Sequence, residues 1–176
     1  MSPQKLAGML FGIFVFSCFP RSAAAQGLKS WDAFAGYAFL RDAPSDVNFP
    51  LGWAAGVSGS LNSWLSIAAD TGGNYKTIPV IGSDVRLVVH TFMIGGRASA
   101  RVGDFVEFGE LLVGLAHTRG TAFGSTSTAT DAAVQGGAGL DYPLNSKLAA
   151  RGELDARFLR TGHEFRVVAG LVYIFP

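Results

Sequence analysis

The segment RGELDARFLRTG, residues 151–162, decides the fold because charged and apolar residues alternate along it. Charge falls at every second position, on Arg151, Glu153, Asp155 and Arg157. The positions that follow them include the apolar residues Leu154, Ala156 and Phe158. A period of two is that of an extended strand, whose side chains point to opposite faces in turn. One face of this strand therefore concentrates charge in a chain that is only 15% charged.

The N-terminal residues have the pattern of a secretory signal peptide. Residues 6–19 form an apolar run that is short for a membrane-spanning helix, and Ser22, Ala23 and Ala25 supply the small residues of a cleavage site. We predict a signal peptide over residues 1–25 and a mature domain over 26–176. A lipoprotein signal, VFSC ending at Cys18, is an alternative, although Phe16 is bulky for it. Since Cys18 is the only cysteine, no disulfide framework is expected.

The composition argues against several classes of partner and cofactor. Without Lys5 and Arg21, 12 of the 14 basic residues remain against 13 acidic ones, and no basic patch suggests nucleic acid. His90, His117 and His163 are far apart in sequence and have no cysteine beside them. We therefore expect no nucleic-acid partner, no metal site and no cofactor.

Alternation with a period of two recurs along the mature chain in eight blocks separated by turn residues. The blocks are residues 31–41, 51–61, 65–75, 86–100, 105–119, 131–142, 147–160 and 164–175. Short connections mostly alternate with long ones, which are predicted at residues 42–50, 76–85 and 120–130, and the last of these, GTAFGSTSTAT, is expected to be mobile. Eight strands joined in this way are typical of a closed transmembrane barrel, which pairs every backbone group internally. We predict an all-β, eight-stranded antiparallel up-and-down barrel.

Five stretches carry a resemblance to a known family: FAGYAFLRD (34–42), FPLGWAAGVSGSLNSWLSIAADTGGNY (49–75), HTFMIGGRAS (90–99), GGAGLDYPLNSKLAARGELD (136–155) and FRVVAGLVYIF (165–175). Together they resemble the small bacterial outer-membrane β-barrel domains of the eight-stranded OmpA and OmpX type. The resemblance implies an outer-membrane location, contact with outer-membrane lipid and a porin-like label without a single activity. It also implies that Tyr173 and Phe175, which precede Pro176, form the signal read by the barrel-insertion machinery.

The cost of charge in lipid predicts where the charged face points. An arginine or lysine on the lipid face costs about 2–4 kcal/mol at the membrane centre, so the charges are expected in the lumen. A two-residue turn at Gly103-Asp104 would place Arg97 opposite Glu110. The predicted polar network of the lumen comprises Arg97, Glu110, Gln135, Asp141, Arg151, Glu153, Asp155, Arg157 and Arg166. We interpret it as a self-neutralising polar core; a narrow gated or ion-conducting pore is the alternative.

Aromatic residues near the block ends suggest girdles at the two membrane interfaces. They are Trp53, Trp64, Tyr75, Tyr142 and Tyr173. His90 and His117 lie near the ends of their blocks and are interpreted as rim residues. The alternative explanation for the aromatic residues is ordinary packing between strands.

These observations predict an integral outer-membrane protein with a structural or porin-like role, limited passive exchange of small solutes and surface loops whose ligand the sequence does not identify. No catalytic residues are assigned, because none of the three histidines has the His-x-Ser spacing of the lipid A deacylases among such barrels. Two alternatives stay open. One is a lipid A-modifying enzyme whose triad assembles in space, and the other is a soluble, secreted, lipocalin-like carrier with apolar residues inside and polar residues outside.

Overall fold

The computed structural model describes residues 30–81 and 83–175, in which all regular structure is β-sheet. The strands are β1 (Trp31–Asp42), β2 (Val47–Phe49), β3 (Leu51–Ser60), β4 (Leu65–Val80), β5 (Ser83–Val102), β6 (Phe105–Ala122), β7 (Ser125–Pro143), β8 (Leu148–Leu159) and β9 (Gly162–Ile174). Over these ranges, no helix has the length and apolar character needed to cross a membrane. The predicted signal peptide, residues 1–25, lies outside the described residues.

Eight of the strands form a closed antiparallel barrel. Strands β1 and β3–β9 pair in sequence order, and β1 also pairs with β9, from Asp32 opposite Ile174 to Asp42 opposite Glu164. The short strand β2 pairs only with the last three residues of β1. Closure leaves the eight strands without a free edge, as a sheet in lipid requires. The predicted all-β, eight-stranded up-and-down barrel is confirmed.

The two ends of the barrel differ in their connections. At the end where β1 begins and β9 finishes, here called the terminus end, short turns join β3 to β4, β5 to β6 and β7 to β8. The opposite end is called the far end. There, β4 and β5 pair as far as Val80 and Ser83, and β6 and β7 pair as far as Ala122 and Ser125.

The prediction of long loops at residues 76–85 and 120–130 was therefore wrong. Both segments continue the β-ladder, and 120–130 is a paired hairpin rather than an open loop. Its Gly, Ser and Thr content suggested a loop, but threonine is also a good strand former, and the Thr121 and Thr126 hydroxyls meet across the strands at 3.2 Å. In the third long connection, residues 42–50, the strand β2 forms.

The turn between β5 and β6 sets the register of the charged residues. Gly103 has a φ of +61°, the left-handed conformation that a tight hairpin turn requires. Val102 then pairs with Phe105, and counting back along the ladder brings Arg97 opposite Glu110. This is the register that the sequence predicted.

The outer surface is an apolar belt between two groups of aromatic residues. The exposed side chains of the belt are Val57, Ile67, Phe92, Ile94, Leu111, Val113, Leu115, Val134, Leu154, Val167 and Leu171. Exposed aromatic residues at the terminus end are Trp31, Trp64, Phe105, Tyr142, Tyr173 and Phe175. Tyr37, Trp53 and Tyr75 lie on the far-end side, where the Trp53 indole donates to the Tyr75 hydroxyl at 3.1 Å. The five predicted girdle residues thus divide between the two groups.

Changing the turn glycine tests how strongly it holds the register. Gly103→Ala is expected to destabilise the barrel by about 1–2 kcal/mol, because a residue with a Cβ is strained at positive φ. The matched control is Gly96→Ala in β5, the strand before the turn, where an added Cβ would also meet nothing within 4 Å but φ is not in the left-handed region. Urea unfolding of the protein in lipid bilayers measures both changes. Equal losses in the two variants would contradict this account of the turn.

Candidate functional site: the charged interior of the barrel

The structure places the predicted polar network on the inner faces of β5 to β9. Eight of its nine residues are buried: Arg97, Glu110, Gln135, Arg151, Glu153, Asp155, Arg157 and Arg166. The ninth, Asp141, is partly buried near the terminus end, with 15% of its side chain exposed. Alternation along each strand explains this placement, because the residues between them point outward to the apolar belt.

Arg166 on β9 is the centre of the largest group of contacts. Its Nη1 and Nη2 atoms each donate to one carboxylate oxygen of Asp70 at 3.0 Å, which joins β9 to β4 across the lumen. Its Nε donates to Asp155 Oδ2 at 2.7 Å, and Nη2 lies 3.4 Å from Glu153 Oε1. A single guanidinium group therefore contacts three carboxylates.

Arg97 and Arg151 lie closer to the terminus end. Arg97 donates through Nε and Nη2 to Glu110 Oε2 at 3.0 and 2.8 Å, so the predicted cross-strand pair is present. Arg151 makes a two-pronged contact with Asp141 at 2.7 Å for each bond. Both guanidinium groups lie over the ring of Phe108, each 4.5 Å from its centroid. Two cations thus contact one aromatic ring, whose negative π-face attracts them.

Arg157 connects the network to the far end. Its Nε and Nη2 donate to Gln135 Oε1 at 3.2 and 3.0 Å, and its Nη1 donates to Glu164 Oε2 at 2.8 Å. Only 1% of Arg157 is exposed. Gln135 thereby satisfies a buried guanidinium without adding another charge.

Sequence analysis missed three carboxylates of the network: Asp32, Asp70 and Glu164. Alternation along the strand could have indicated each of them. Asp32 lies two residues before the inward-facing Phe34, and Asp70 lies two residues after the inward-facing Ala68. Glu164 lies two residues before Arg166. The predicted set is neutral, with four arginines and four carboxylates. The three additional carboxylates give a network of four arginines and seven carboxylates, with a formal charge of −3. With every carboxylate ionised, this network differs from the neutral set of the prediction by three negative charges.

The interior is also less polar than predicted. Three apolar clusters accompany the ionic network, and their buried members are Phe34, Ala38, Ala54, Ala149, Val168 and Val172; Ala68, Met93, Leu112, Ala116 and Ala133; and Leu40, Phe49 and Val89. The third cluster forms because β2 places Phe49 with Leu40 and Val89 near the far end. Inward-facing apolar residues fill the space that the arginine and carboxylate side chains leave.

The other predicted residues lie on or near the outer surface. The rings of Tyr173 and Phe175 pack edge to face at 5.0 Å, and their part in insertion stays a prediction. His90 and His117, distant in sequence, are direct cross-strand partners. His90 packs against Tyr75 at 5.8 Å, and His117 Nδ1 lies 2.8 Å from the Thr130 hydroxyl, so both lie at the far-end rim.

Solved structures of bacterial outer-membrane proteins share this architecture. A major outer membrane protein from Thermus thermophilus is 11% identical with a TM-score of 0.68, over 85% of this chain and 100% of that one. The N-terminal β-barrel domain of Pseudomonas aeruginosa OprF is 17% identical with a TM-score of 0.61, over 85% and 100% of the two chains. Ail, the attachment invasion locus protein of Yersinia pestis, is 12% identical with a TM-score of 0.61, over 86% and 100%.

This chain has the fold of the small bacterial outer-membrane β-barrels. The identities are low, so the likeness concerns the fold. No protein-family model matches the sequence, and no curated protein is similar to it.

In this outer-membrane barrel fold the ionic network separates two cavities. One, of about 310 Å³, opens at the terminus end and is lined by Asp32, Arg97, Arg151 and many serine side chains. The other, of about 240 Å³, lies at the far end beside Phe49 and Glu164. Between them are Arg157, Arg166, Gln135 and Leu112, each at most 2% exposed. Buried side chains therefore fill the lumen between the two cavities.

Mutation of the Arg97–Glu110 pair tests its contribution to the barrel. Either Arg97→Leu or Glu110→Leu is expected to cost about 3–5 kcal/mol, because the first leaves Glu110 buried without its arginine and the second leaves Arg97 with only Asp32, at 4.0 Å. The double variant is expected to be more stable than either single one. Unfolding free energies from a double-mutant cycle give the coupling.

The control for this cycle is the exposed pair Arg41–Asp46, whose side chains are 52% and 76% exposed. Its coupling should stay below about 1 kcal/mol. Additive losses at Arg97 and Glu110 would show that the two residues do not act as a pair.

Proposed function

We propose that this protein is an integral outer-membrane β-barrel with a structural role, which uses a closed interior for stability and displays its long hairpins on one side of the membrane. The observation that carries this proposal is the distribution of polarity. Charged side chains fill the inside of the barrel, and large apolar side chains such as Leu111, 63% exposed, cover the outside. Lipid stabilises that arrangement, whereas water would favour the reverse.

The same distribution argues against a soluble, lipocalin-like carrier. Such a carrier needs an apolar cavity and a polar exterior. Here the two cavities are separated by buried arginine and glutamine side chains, and the exterior carries the apolar belt. The chain is therefore better suited to a bilayer than to free solution.

The closed interior favours a structural role over a porin-like one. A solute would have to displace Arg157 and Arg166, each of which makes several charge-assisted hydrogen bonds with buried partners. Limited passive exchange would require those contacts to open. The protein is accordingly proposed to be a barrel that does not conduct in its resting state.

The far end is proposed to face the outside of the cell. Outer-membrane barrels have short periplasmic turns and longer external connections, and the extended β4–β5 and β6–β7 hairpins lie at the far end. A solved structure of Yersinia pestis Ail holds the heparin analogue sucrose octasulfate. An external ligand of the far-end hairpins is therefore part of the proposal, although its identity is not assigned.

The remaining partners follow from the location. Outer-membrane lipid would contact the apolar belt, and the barrel-insertion machinery would read the C-terminal residues Tyr173 and Phe175. No nucleic-acid partner and no catalytic role are proposed. The contacts of the described histidine rings are with Tyr75, Thr130 and Phe165 rather than with a serine and an acid.

The membrane location predicts that the loss of stability caused by an introduced charge depends strongly on its position along the strand. Leu111→Arg, midway along β6 between Phe105 and His117, is expected to destabilise the barrel by about 2–4 kcal/mol in lipid. The control is Thr126→Arg near the far-end tip, which should change stability by less than about 1 kcal/mol. Urea unfolding in bilayers measures both. Wild-type protein should also resist SDS until boiled, as judged by gel mobility, and a soluble species insensitive to heat would refute the location.

The closed interior predicts an electrically silent barrel. In planar bilayers, purified refolded protein is expected to show no steady single-channel current. Arg157→Ala removes a buried side chain between the cavities and is expected to produce measurable openings. Lys147→Ala, at the exposed terminus-end turn, is the control and should leave the membrane silent. Steady wild-type currents would instead support the porin-like role.

A further inference from the structure

The excess negative charge of the network is concentrated at one place inside the barrel. Arg151 and Arg157 each pair with one carboxylate, those of Asp141 and Glu164. The remaining buried groups are the two guanidinium groups of Arg97 and Arg166 and four carboxylates, those of Asp70, Glu110, Glu153 and Asp155. With all four carboxylates ionised, two negative charges would be left without compensation where water is excluded, a situation that proteins avoid.

Three of these carboxylates share one pattern of contacts. Each gives one oxygen to an arginine: Glu110 Oε2 to Arg97, and Asp155 Oδ2 and Glu153 Oε1 to Arg166. The second oxygen of each carboxylate takes no part in these bonds. Glu153 Oε2 and Asp155 Oδ1 are buried without a hydrogen-bond partner, and Glu110 Oε1 has only Gln135 Nε2 at 3.5 Å. These are side chains that are at most 1% exposed.

Two of the unused oxygens, Asp155 Oδ1 and Glu110 Oε1, lie close to Gly137, which has no side chain of its own. Gly137 on β7 lies in register between Glu110 on β6 and Asp155 on β8. A Cβ on Gly137 would lie 2.3 Å from Asp155 Oδ1 and 3.4 Å from Glu110 Oε1, so both oxygens approach the same point. Ligand oxygens of Glu110, Glu153 and Asp155 all lie within 4.8 Å of one another. One cation with oxygen ligands at about 2.3–2.6 Å can bridge atoms that far apart.

We propose that the barrel interior binds one divalent, oxygen-preferring cation over Gly137, with Glu110, Glu153 and Asp155 as its protein ligands. A charge of +2 would neutralise the two uncompensated carboxylates, and three carboxylate oxygens are the ligands of a hard cation. Ca²⁺ fits better than Mg²⁺, because strands fix the three carboxylates and Ca²⁺ accepts irregular geometry. Arg97, the partner of Glu110, lines the cavity at the terminus end, so this cavity lies next to the proposed site.

The cation would connect β6 to β8 across the glycine of β7. It would act as a crosslink in a chain whose described residues contain no cysteine. Because a ligand that binds only the folded state raises stability by mass action, the stability of the barrel should depend on the concentration of the free cation.

The first experiment measures binding to the wild-type barrel. Purified protein is folded in detergent micelles, treated with EDTA, and titrated with CaCl₂ or MgCl₂ at constant ionic strength. Isothermal titration calorimetry should give one Ca²⁺ per barrel. The unfolding temperature should rise on the order of 5–10 °C at a Ca²⁺ concentration about a hundredfold above Kd. An unchanged unfolding temperature and no saturable binding would overturn the proposal, and protons would then neutralise the cluster.

The second experiment locates the site. Glu153→Gln and Asp155→Asn each remove one ligand charge and should weaken Ca²⁺ binding about tenfold or more. Gly137→Ala keeps every charge but fills the space, and should also abolish the Ca²⁺ response. The matched control is Glu164→Gln, which removes a buried carboxylate of the same interior away from the cluster and should retain it. A wild-type response in Gly137→Ala and both ligand variants would place the ion elsewhere and overturn the proposal.

SDS resistance of each variant before boiling is recorded in parallel. This readout reports barrel formation and does not require the cation, so the membrane assignment and the cation site can fail independently. If Glu153→Gln or Asp155→Asn does not fold, the number of Ca²⁺ ions bound by the wild-type barrel and the Ca²⁺ response of Gly137→Ala still test the proposed site.

Discussion

The pairing of β1 with β9 is the constraint on which the rest of the structure depends. It closes the sheet, so that each of the eight barrel strands has two hydrogen-bonded neighbours and the molecule gains an inside and an outside. Alternation along each strand then sorts side chains between the two. Because the outer face is apolar, the charged residues in the middle of β4 to β9 lie in the lumen, where arginines and carboxylates pair.

That pairing explains why the buried cations of the described residues are all arginines. A planar guanidinium with five donors can contact several carboxylates at once, as Arg166 does with Asp70, Glu153 and Asp155. The contact with Asp70 spans the lumen and connects strands that are not neighbours. The ionic layer thereby ties the two sides of the barrel together and closes the path between the cavities. Stability and the absence of a continuous channel are consequences of the same contacts.

Much of the fold was predictable because it depends on local periodicity. The eight strands, the turn at Gly103 and the pairing of Arg97 with Glu110 follow from alternation and from counting along a ladder. The lengths of the far-end hairpins did not follow, because Ser- and Thr-rich segments suit both loops and strands. Their state was decided by pairing between the two arms of each hairpin, which at residues 120–130 runs as far as Ala122 opposite Ser125.

By itself, the sequence determined which face of each strand is charged and, through the cost of charge in lipid, that this face points inward. The tertiary structure alone decided which charges meet. Asp70 is 96 residues from Arg166 in sequence and contacts it because the barrel closes. Glu110 and Asp155 face each other because an intervening strand presents Gly137 in register. Such contacts depend on the order and stagger of strands around the barrel, which periodicity along one strand does not encode.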